Sequence, residues 1–442
     1  LRGGINKVKH NRFYPLICGN NTTVLKIFYN LFIKLYPIAA QLLSSKNPKA
    51  KHWVNGRKNI FIRLQKAFEA NTQPVIWMHC SSLGEFEQGR PVIEQLKQQY
   101  QQHKILVTFF SPSGYEIHQN YRGADWVFYL PMDSTKNALQ FFDVVRPQLI
   151  LFVKYEYWFY YLQEAKKRNI PLLLIAGIFR KDQPFFKWYG NFYRSMLPCF
   201  THFFVQTEAS KKLLQSIGFE QNITVAGDTR FDRVIEIAQQ TIELLPIDLF
   251  IQNHTVLIAG STWAEDDLEL SHFIRSHESI KCIIAPHDIG NERIKQCLEL
   301  YKNAILWSEW IKVASPNTHF QCIIIDNIGL LSKLYKYATI AYVGGGFGND
   351  GVHNVLEAAV YSKPVIFGPE YEKYIEAIEL IEVGAAWSID SAITLEENLA
   401  TLLDNPIEYE KACTSAGNYV QSKSGATKKV LKYIYENRLL TN

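Results

Sequence analysis

Apolar residues in this chain fall into short unbroken runs separated by stretches with helical spacing. PVIWMHC (74–80), KILVTFF (104–110), WVFYL (126–130), QLILFV (148–153), PLLLIAG (171–177) and HFFVQ (202–206) read as strands. Runs that are apolar on both faces of the pleat suit strands covered on both sides. Helical periodicity lies between most of them, as over 85–99. The rhythm pauses over 239–253, where an isolated Pro246 and few periodic cues predict a linker. It resumes with TVLIAG (255–260), KCIIAP (281–286), QCIIID (321–326), TIAYVGGG (339–346) and KPVIFGP (363–369), and closes on a helix over 426–436. Strands alternating with helices predict parallel β-α-β units. The expected fold is α/β, two doubly wound domains facing one another with the site in the cleft between them. The expected boundaries are a basic segment 1–50, a first domain 51–238, the linker 239–253, a second domain 254–420 and a C-terminal helix 421–442.

One segment breaks this pattern. VLKIFYNLFIKLYPIAAQLL (24–43) is twenty residues, about 30 Å as a helix. Its polar positions Lys26, Asn30 and Lys34 recur every four residues on one stripe, and the rest is apolar. Two lysines and Pro37 suit a helix lying in a membrane interface better than one spanning it. No small-residue cleavage site follows, so a cleaved signal peptide is not expected.

Charge sharpens this reading. Residues 1–70 hold thirteen Lys or Arg and one acid, Glu69, a local charge of +12; the whole-chain value of +5 leaves −7 for the remainder. Such segregation argues against a uniformly basic nucleic-acid binder and for an N-terminal arm facing an anionic membrane surface. With 47% hydrophobic and 20% charged residues, global disorder is excluded. No charge-free apolar run reaches the ~18–20 residues of an ordinary span, which excludes a polytopic membrane protein. The seven cysteines, Cys18 among them, are scattered and form no C-x-x-C pair, which suits a reducing compartment and no zinc ribbon.

Candidate chemistry gathers after the strands. In the second half, AYVGGGFGNDGVHNVLEAAVYSKPVIFGP (341–369) runs a strand into Gly344, Gly345 and Gly346, then a helix expected to begin near His353. Glycines there let backbone N–H groups approach an anion, and Glu357, one turn into the helix, can accept from ribose hydroxyls. The spacing is neither a dinucleotide fingerprint nor a Walker loop. Gly260-Ser261-Thr262 and Asn327-Ile328-Gly329-Leu330-Leu331 are further loop-to-helix junctions that can meet phosphate or base. In the first half, Cys80-Ser81-Ser82-Leu83-Gly84-Glu85 follows the first strand and opens a helix. Glu85 is either a base at a strand's carboxyl end or an acid complementing the helix dipole. Glu156 lies among aromatics in Lys154-Tyr155-Glu156-Tyr157-Trp158, Arg180 and Lys181 can receive an anion, and Arg230 and Asp232 lie in a mixed-charge cluster at 227–232.

Taken in order, S-S-L-G-E (81–85), S-P-S-G (111–114), Y-E-Y-W (155–158), G-D-T-R-F-D (227–232), G-S-T (260–262), G-G-G (344–346) and H-N-V-L-E-A-A (353–359) resemble the 3-deoxy-D-manno-octulosonic acid (Kdo) transferase family. The resemblance implies a GT-B fold of two Rossmann-like domains with an N-terminal membrane-associated helix. It implies an inverting transfer of Kdo from CMP-Kdo to the lipid A precursor, lipid IVA, at the cytoplasmic face of the inner membrane. Glu85 would be the general base, with Glu156 and Arg230 also catalytic. Ser261, Thr262, His287, Gly329, Leu330, Gly345, Gly346, Asn354 and Glu357 would hold the donor, and Ser82, Gly84, Ser113 and Arg180 the acceptor. The leaving group carries a single phosphate, so no metal or other cofactor is expected. The chain departs from the family where Pro286-His287-Asp288 stands for Pro-Arg-His, Lys154 for an acid and Phe159 for proline. A GT-B enzyme using a UDP-sugar, of lipid disaccharide synthase or epimerase type, and a non-catalytic membrane-docking protein are the competing readings.

Overall fold

The strand-like runs pair as their patterning requires. A computed structural model describes residues 19–240, 243–312, 319–349 and 351–440. It divides into two compact units, residues 1–227 with 427–442, and residues 228–426. The first holds β1 (Val75–Cys80), β2 (Lys104–Phe109), β3 (Trp126–Tyr129), β4 (Pro147–Val153), β5 (Leu172–Gly177), β6 (His202–Val205) and β7 (Ile223–Val225). Their order in the sheet is β3-β2-β1-β4-β5-β6-β7, and every pair is parallel. The second holds β8 (Val256–Thr262), β9 (Lys281–Pro286), β10 (Ala304–Leu306), β11 (Cys322–Ile324), β12 (Ile340–Val343), β13 (Val365–Phe367) and β14 (Ala386–Ser388). Its parallel order is β10-β11-β9-β8-β12-β13-β14. Strand order reverses direction beside β1 and β4 in one sheet, and beside β8 and β12 in the other. Those two places are the topological switch points where doubly wound sheets bind ligands.

Strands β7, β10 and β14 have three residues each and lie outside the predicted runs. Runs this short carry too little periodicity to be read without their neighbours. The expected domain boundaries also shift. The expected boundaries put 229–238 in the first domain and 239–253 in a linker, yet Phe231, Val234, Ile247 and Phe250 all bury in the second unit's core. Pro246 stands in the first turn of the helix Leu245–Ile251, where its missing N–H costs nothing, so it starts an element instead of interrupting one. The C-terminal helix Ala426–Glu436 returns to the first unit. There Lys429 Nζ donates to the carbonyls of Val225 (3.0 Å) and Ala226 (3.1 Å), and the Tyr433 ring lies 4.2 Å from that of His202.

At the amino end, α1 (Gly19–Leu43), α2 (Pro48–Arg57) and α3 (Ile60–Phe68) precede the first strand. The expected segment 1–50 is described only from Gly19, so its earlier basic residues and Cys18 lie outside the described residues. Helix α1 is amphipathic in an inverted sense. Tyr29, Ile33, Tyr36 and Ala40 pack on the body, and Val24, Ile27, Phe28, Leu31, Phe32, Leu35, Ile38 and Leu42 face outward. Part of its polar stripe turns inward: Asn30 accepts from Tyr160 Oη at 2.6 Å, and Lys26 Nζ lies 5.0 Å from the Phe159 ring centre. Thr22–Leu43 is long and apolar enough to cross a membrane by length and composition. Tyr29 Oη donates to buried Asp133, which also accepts from the backbone N–H groups of Tyr160 and Tyr161 at 3.0 Å each. Burial pushes the Asp133 carboxyl up to about 6.

Candidate functional site

The first switch point is built from loops that the carboxyl ends of β1, β2, β4 and β5 deliver. After β1, Ser82 caps α4 (Leu83–Gln99) and Glu85 stands at its third position, forming a capping box. Glu85 Oε2 accepts from the Ser82 N–H at 3.0 Å and from the Ser82 hydroxyl. Both bonds end on one oxygen, so Oε1 lies outside the box. The acid therefore complements the helix terminus and still presents a half-buried carboxylate edge at the switch point. Gly84 beside it is exposed. After β2, Ser111 caps α5 (Pro112–His118), and its N–H donates to the Ser81 carbonyl at 2.7 Å, which ties the two loops together. Ser113 is exposed and its hydroxyl lies 3.1 Å from that of Ser111.

From β4 come Tyr155 and Glu156, and from β5 the exposed Arg180. Tyr155 lies within electrostatic reach of Arg180, Glu85 and Asp182, and burial raises its hydroxyl pKa. Glu156 has a different environment. It is buried, with Oε2 at 2.9 Å from His79 Nε2 and accepting from Trp158 Nε1 at 2.6 Å. His79 is fully buried on β1, and its Nδ1 meets the Thr108 hydroxyl at 2.9 Å. Glu156 is thus the inner member of a satisfied network under the site, and it positions the loop 154–158. The signal for His79 in the sequence is its place inside the apolar run VIWMHC, where a buried histidine must find partners.

The second switch point joins Gly260-Ser261-Thr262, the carboxyl end of β8, to the glycine loop after β12. Ser261 adopts φ +58° and Gly345 φ +94°. A side chain on Gly344 would place its Cβ 2.5 Å from the Ser261 carbonyl oxygen, so only glycine permits this backbone approach. Buried Asp266 clamps the loops: its Oδ2 accepts from the N–H groups of Trp263 (2.8 Å) and Gly345 (2.9 Å), and its Oδ1 from Tyr342 Oη (2.8 Å). The Gly345 N–H, expected to meet an anion, is therefore committed to an internal carboxylate. Burial raises the Asp266 pKa against these donors. Asp266 was another omission, hidden in an acidic helix start that sequence alone assigns to the dipole.

The helix expected near His353 begins only at Leu356 and ends at Ala359. The N–H groups of Val352 and His353 instead bond the carbonyls of Glu370 and Gly344, at 2.9 and 3.0 Å, which holds that stretch in loop form. Glu357 Oε1 accepts from Asn354 Nδ2 at 3.0 Å. The Thr262 hydroxyl and Asn354 Oδ1 are buried without a partner among the described residues, two polar groups open to a ligand. Trp263 Nε1 donates to His353 Nε2 at 3.0 Å, so the two rings lie side by side, and exposed His287 stacks over both (4.6 and 4.5 Å); Gly346 is buried against Gly368. Gly329 (φ +90°) and Leu330 form a separate turn after β11, with Gly329 exposed. Arg230 is clasped by Asp228 and Glu376. Among the described residues no three His, Cys, Asp or Glu side chains cluster as a metal site would require.

Comparison with known proteins adds sequence relationships. Residues 58–233 match the model of the family described as 3-deoxy-D-manno-octulosonic-acid transferase (kdotransferase). A 3-deoxy-D-manno-octulosonic acid transferase of Chlamydophila psittaci is 27% identical over 409 residues, covering 89% of this chain and 92% of its own. A bifunctional glycosyltransferase/methyltransferase of Fusobacterium nucleatum is 25% identical over 89% of this chain, which spans only 59% of that longer protein. Among solved structures, a UDP-GlcNAc 2-epimerase from Neisseria meningitidis superposes with a TM-score of 0.57 at 18% identity, covering 82% of this chain and all of its own. That last likeness is one of fold.

Proposed function

We propose, on the match of residues 58–233 to the kdotransferase family model and the likeness to Kdo transferases over most of the chain, that the chain is a glycosyltransferase of that family and transfers Kdo from CMP-Kdo to the lipid A precursor at the cytoplasmic face of the inner membrane. The acceptor hydroxyl attacks the anomeric carbon of Kdo, the bond from that carbon to the CMP phosphate breaks, and the configuration inverts. Glu85 takes the hydroxyl proton as the new bond forms. What supports Glu85 most is its position: a half-buried carboxylate at the β1/β4 switch point, with one oxygen outside the capping box and Tyr155, which also feels Arg180, in electrostatic reach. Arg180 is suited to an anionic group of the acceptor or of Kdo itself. On the donor side, Thr262 and Asn354 offer unpaired polar atoms, and the Trp263–His287–His353 rings offer a flat face to the base or sugar. The outward apolar face of α1 would lie among lipid chains, with the basic arm on anionic headgroups.

The test uses Glu85→Gln, because glutamine also completes a capping box and so keeps the helix start. Expected is a fall in kcat of about 10²–10⁴ with little change in Tm. Unchanged turnover would remove Glu85 as base. Mass spectrometry of lipid A precursor incubated with CMP-Kdo, and separately with UDP-GlcNAc, checks the donor. Product from UDP-GlcNAc alone would overturn the assignment.

A further inference from the structure

An apolar groove of about 290 Å³ runs between α1 and α2 and ends on the loop after β2. Tyr36, Ala40 and Leu43 of α1 form one wall, Ala50 and Trp53 of α2 the other, and Ser111 with Pro112 closes the end. Three features distinguish this groove from a surface dimple. First, its walls are fixed. Trp53 is almost fully buried, with its ring 5.1 Å from Tyr36 and 5.9 Å from Phe110. Arg57 stacks 4.0 Å from Trp53 and donates to the carbonyls of Phe110 (2.9 Å) and Leu130 (3.0 Å). Second, its two ends differ in kind. The α1 wall belongs to the helix whose opposite face exposes a continuous apolar stripe, and the far end is tied through the Ser111 N–H to Ser81, beside the capping box of Glu85. Third, it is flanked by cations. Lys49 lines its rim, and Asn47 is shared with a neighbouring polar recess that holds Lys46, Lys51 and His52. The buried indole N–H of Trp53, in the wall of the groove, has no partner among the described residues.

An apolar slot beside a basic rim matches a fatty chain attached to an anionic head. We propose that this groove takes one acyl chain of the lipid acceptor and draws it out of the bilayer to align its sugar hydroxyl with Glu85. The inference rests on the acceptor being a lipid, and it adds where that lipid is gripped. A groove of ~290 Å³ has room for a chain segment of about ten methylenes, taking each as close to a water's ~30 Å³.

The experiment uses the full chain on anionic vesicles with a lipid A precursor that carries a diazirine in one acyl chain. After photolysis, adducts are expected on Tyr36, Leu43 or Trp53 and should disappear when unlabelled precursor competes. Adducts confined to Ile27, Phe28, Leu31 and Leu35, or adducts that phosphatidylglycerol displaces as well as the precursor does, would overturn the groove. Sugar transfer is read in the same vesicles, so product without groove adducts sinks only this proposal, and groove adducts without product sink only the transfer reading. In a second arm, Ala50→Trp fills the slot. It should raise KM for the acylated acceptor about tenfold, a loss of one decade in apparent affinity, and leave KM for CMP-Kdo unchanged. An unaltered acceptor KM would count against the groove.

Discussion

Arg230 donates to Asp228 at 2.9 Å and to Glu376 at 2.8 Å, and both acids are nearly sealed from water. Its charge is engaged by two partners that would otherwise be buried and uncompensated. Removing it by Arg230→Met should cost about 3–5 kcal/mol, lowering the melting point of the second unit by roughly 10 °C. Calorimetry on the variant checks this. Unchanged stability with lost turnover would instead point to direct contact with substrate. In the sequence Arg230 stands in a mixed-charge cluster, and its spacing cannot reveal Glu376, 146 positions away. The same holds for Glu156 with His79 and for Gly345 with Asp266. In each case the residue type is legible locally, and the partner that settles its role arrives from a distant strand end.

At the scale of elements, the two strongest patterns in the chain translated directly. Long apolar runs became parallel strands, and the capping signals at Ser82 and Glu85 became a helix start at the end of β1. Helix α1 needed the structure, because its polar stripe resembles an outward face and yet Asn30 points at Tyr160. The exposed stripe of eight large apolar residues from Val24 to Leu42 is the feature that asks for a lipid environment. Replacing Ile27, Leu31, Leu35 and Ile38 by glutamine removes roughly 1 kcal/mol or more of transfer energy each. Vesicle flotation should then fall by at least about a hundredfold. Equal flotation of the variant would show that α1 does not carry membrane binding. The docked face, held by Tyr29 on Asp133, is untouched by these changes, so circular dichroism should be unaltered.

For the whole molecule, two buried groups oppose one another in acid. Burial holds His202 down to about 4, so the folded state resists its protonation and loses stability as pH falls from about 6.5 towards 4. Asp133, pushed up to about 6, binds its proton more tightly when folded, so it adds stability as pH falls through the same window. His202→Asn removes the first slope alone. The unfolding free energy of the variant relative to the parent should therefore climb on acidification, by about 2 kcal/mol between pH 6.5 and 4, read from denaturant melts at each pH. A constant difference would mean that His202, at 4.2 Å from Tyr433 of the C-terminal helix, is not the acid-sensitive contact. That helix also marks the boundary of what local pattern reveals. Periodicity, charge and turn chemistry are short-range properties, and by themselves they determined the parallel α/β class, eleven of the described strands, the candidate loops at their ends and the basic amino end. The return of 427–442 to the first unit, the burial of the expected linker in the second, the inverted face of α1 and the pairing of each buried charge were decided by tertiary structure alone. These depend on which surfaces lose water together, and no window of sequence contains both sides of such a contact.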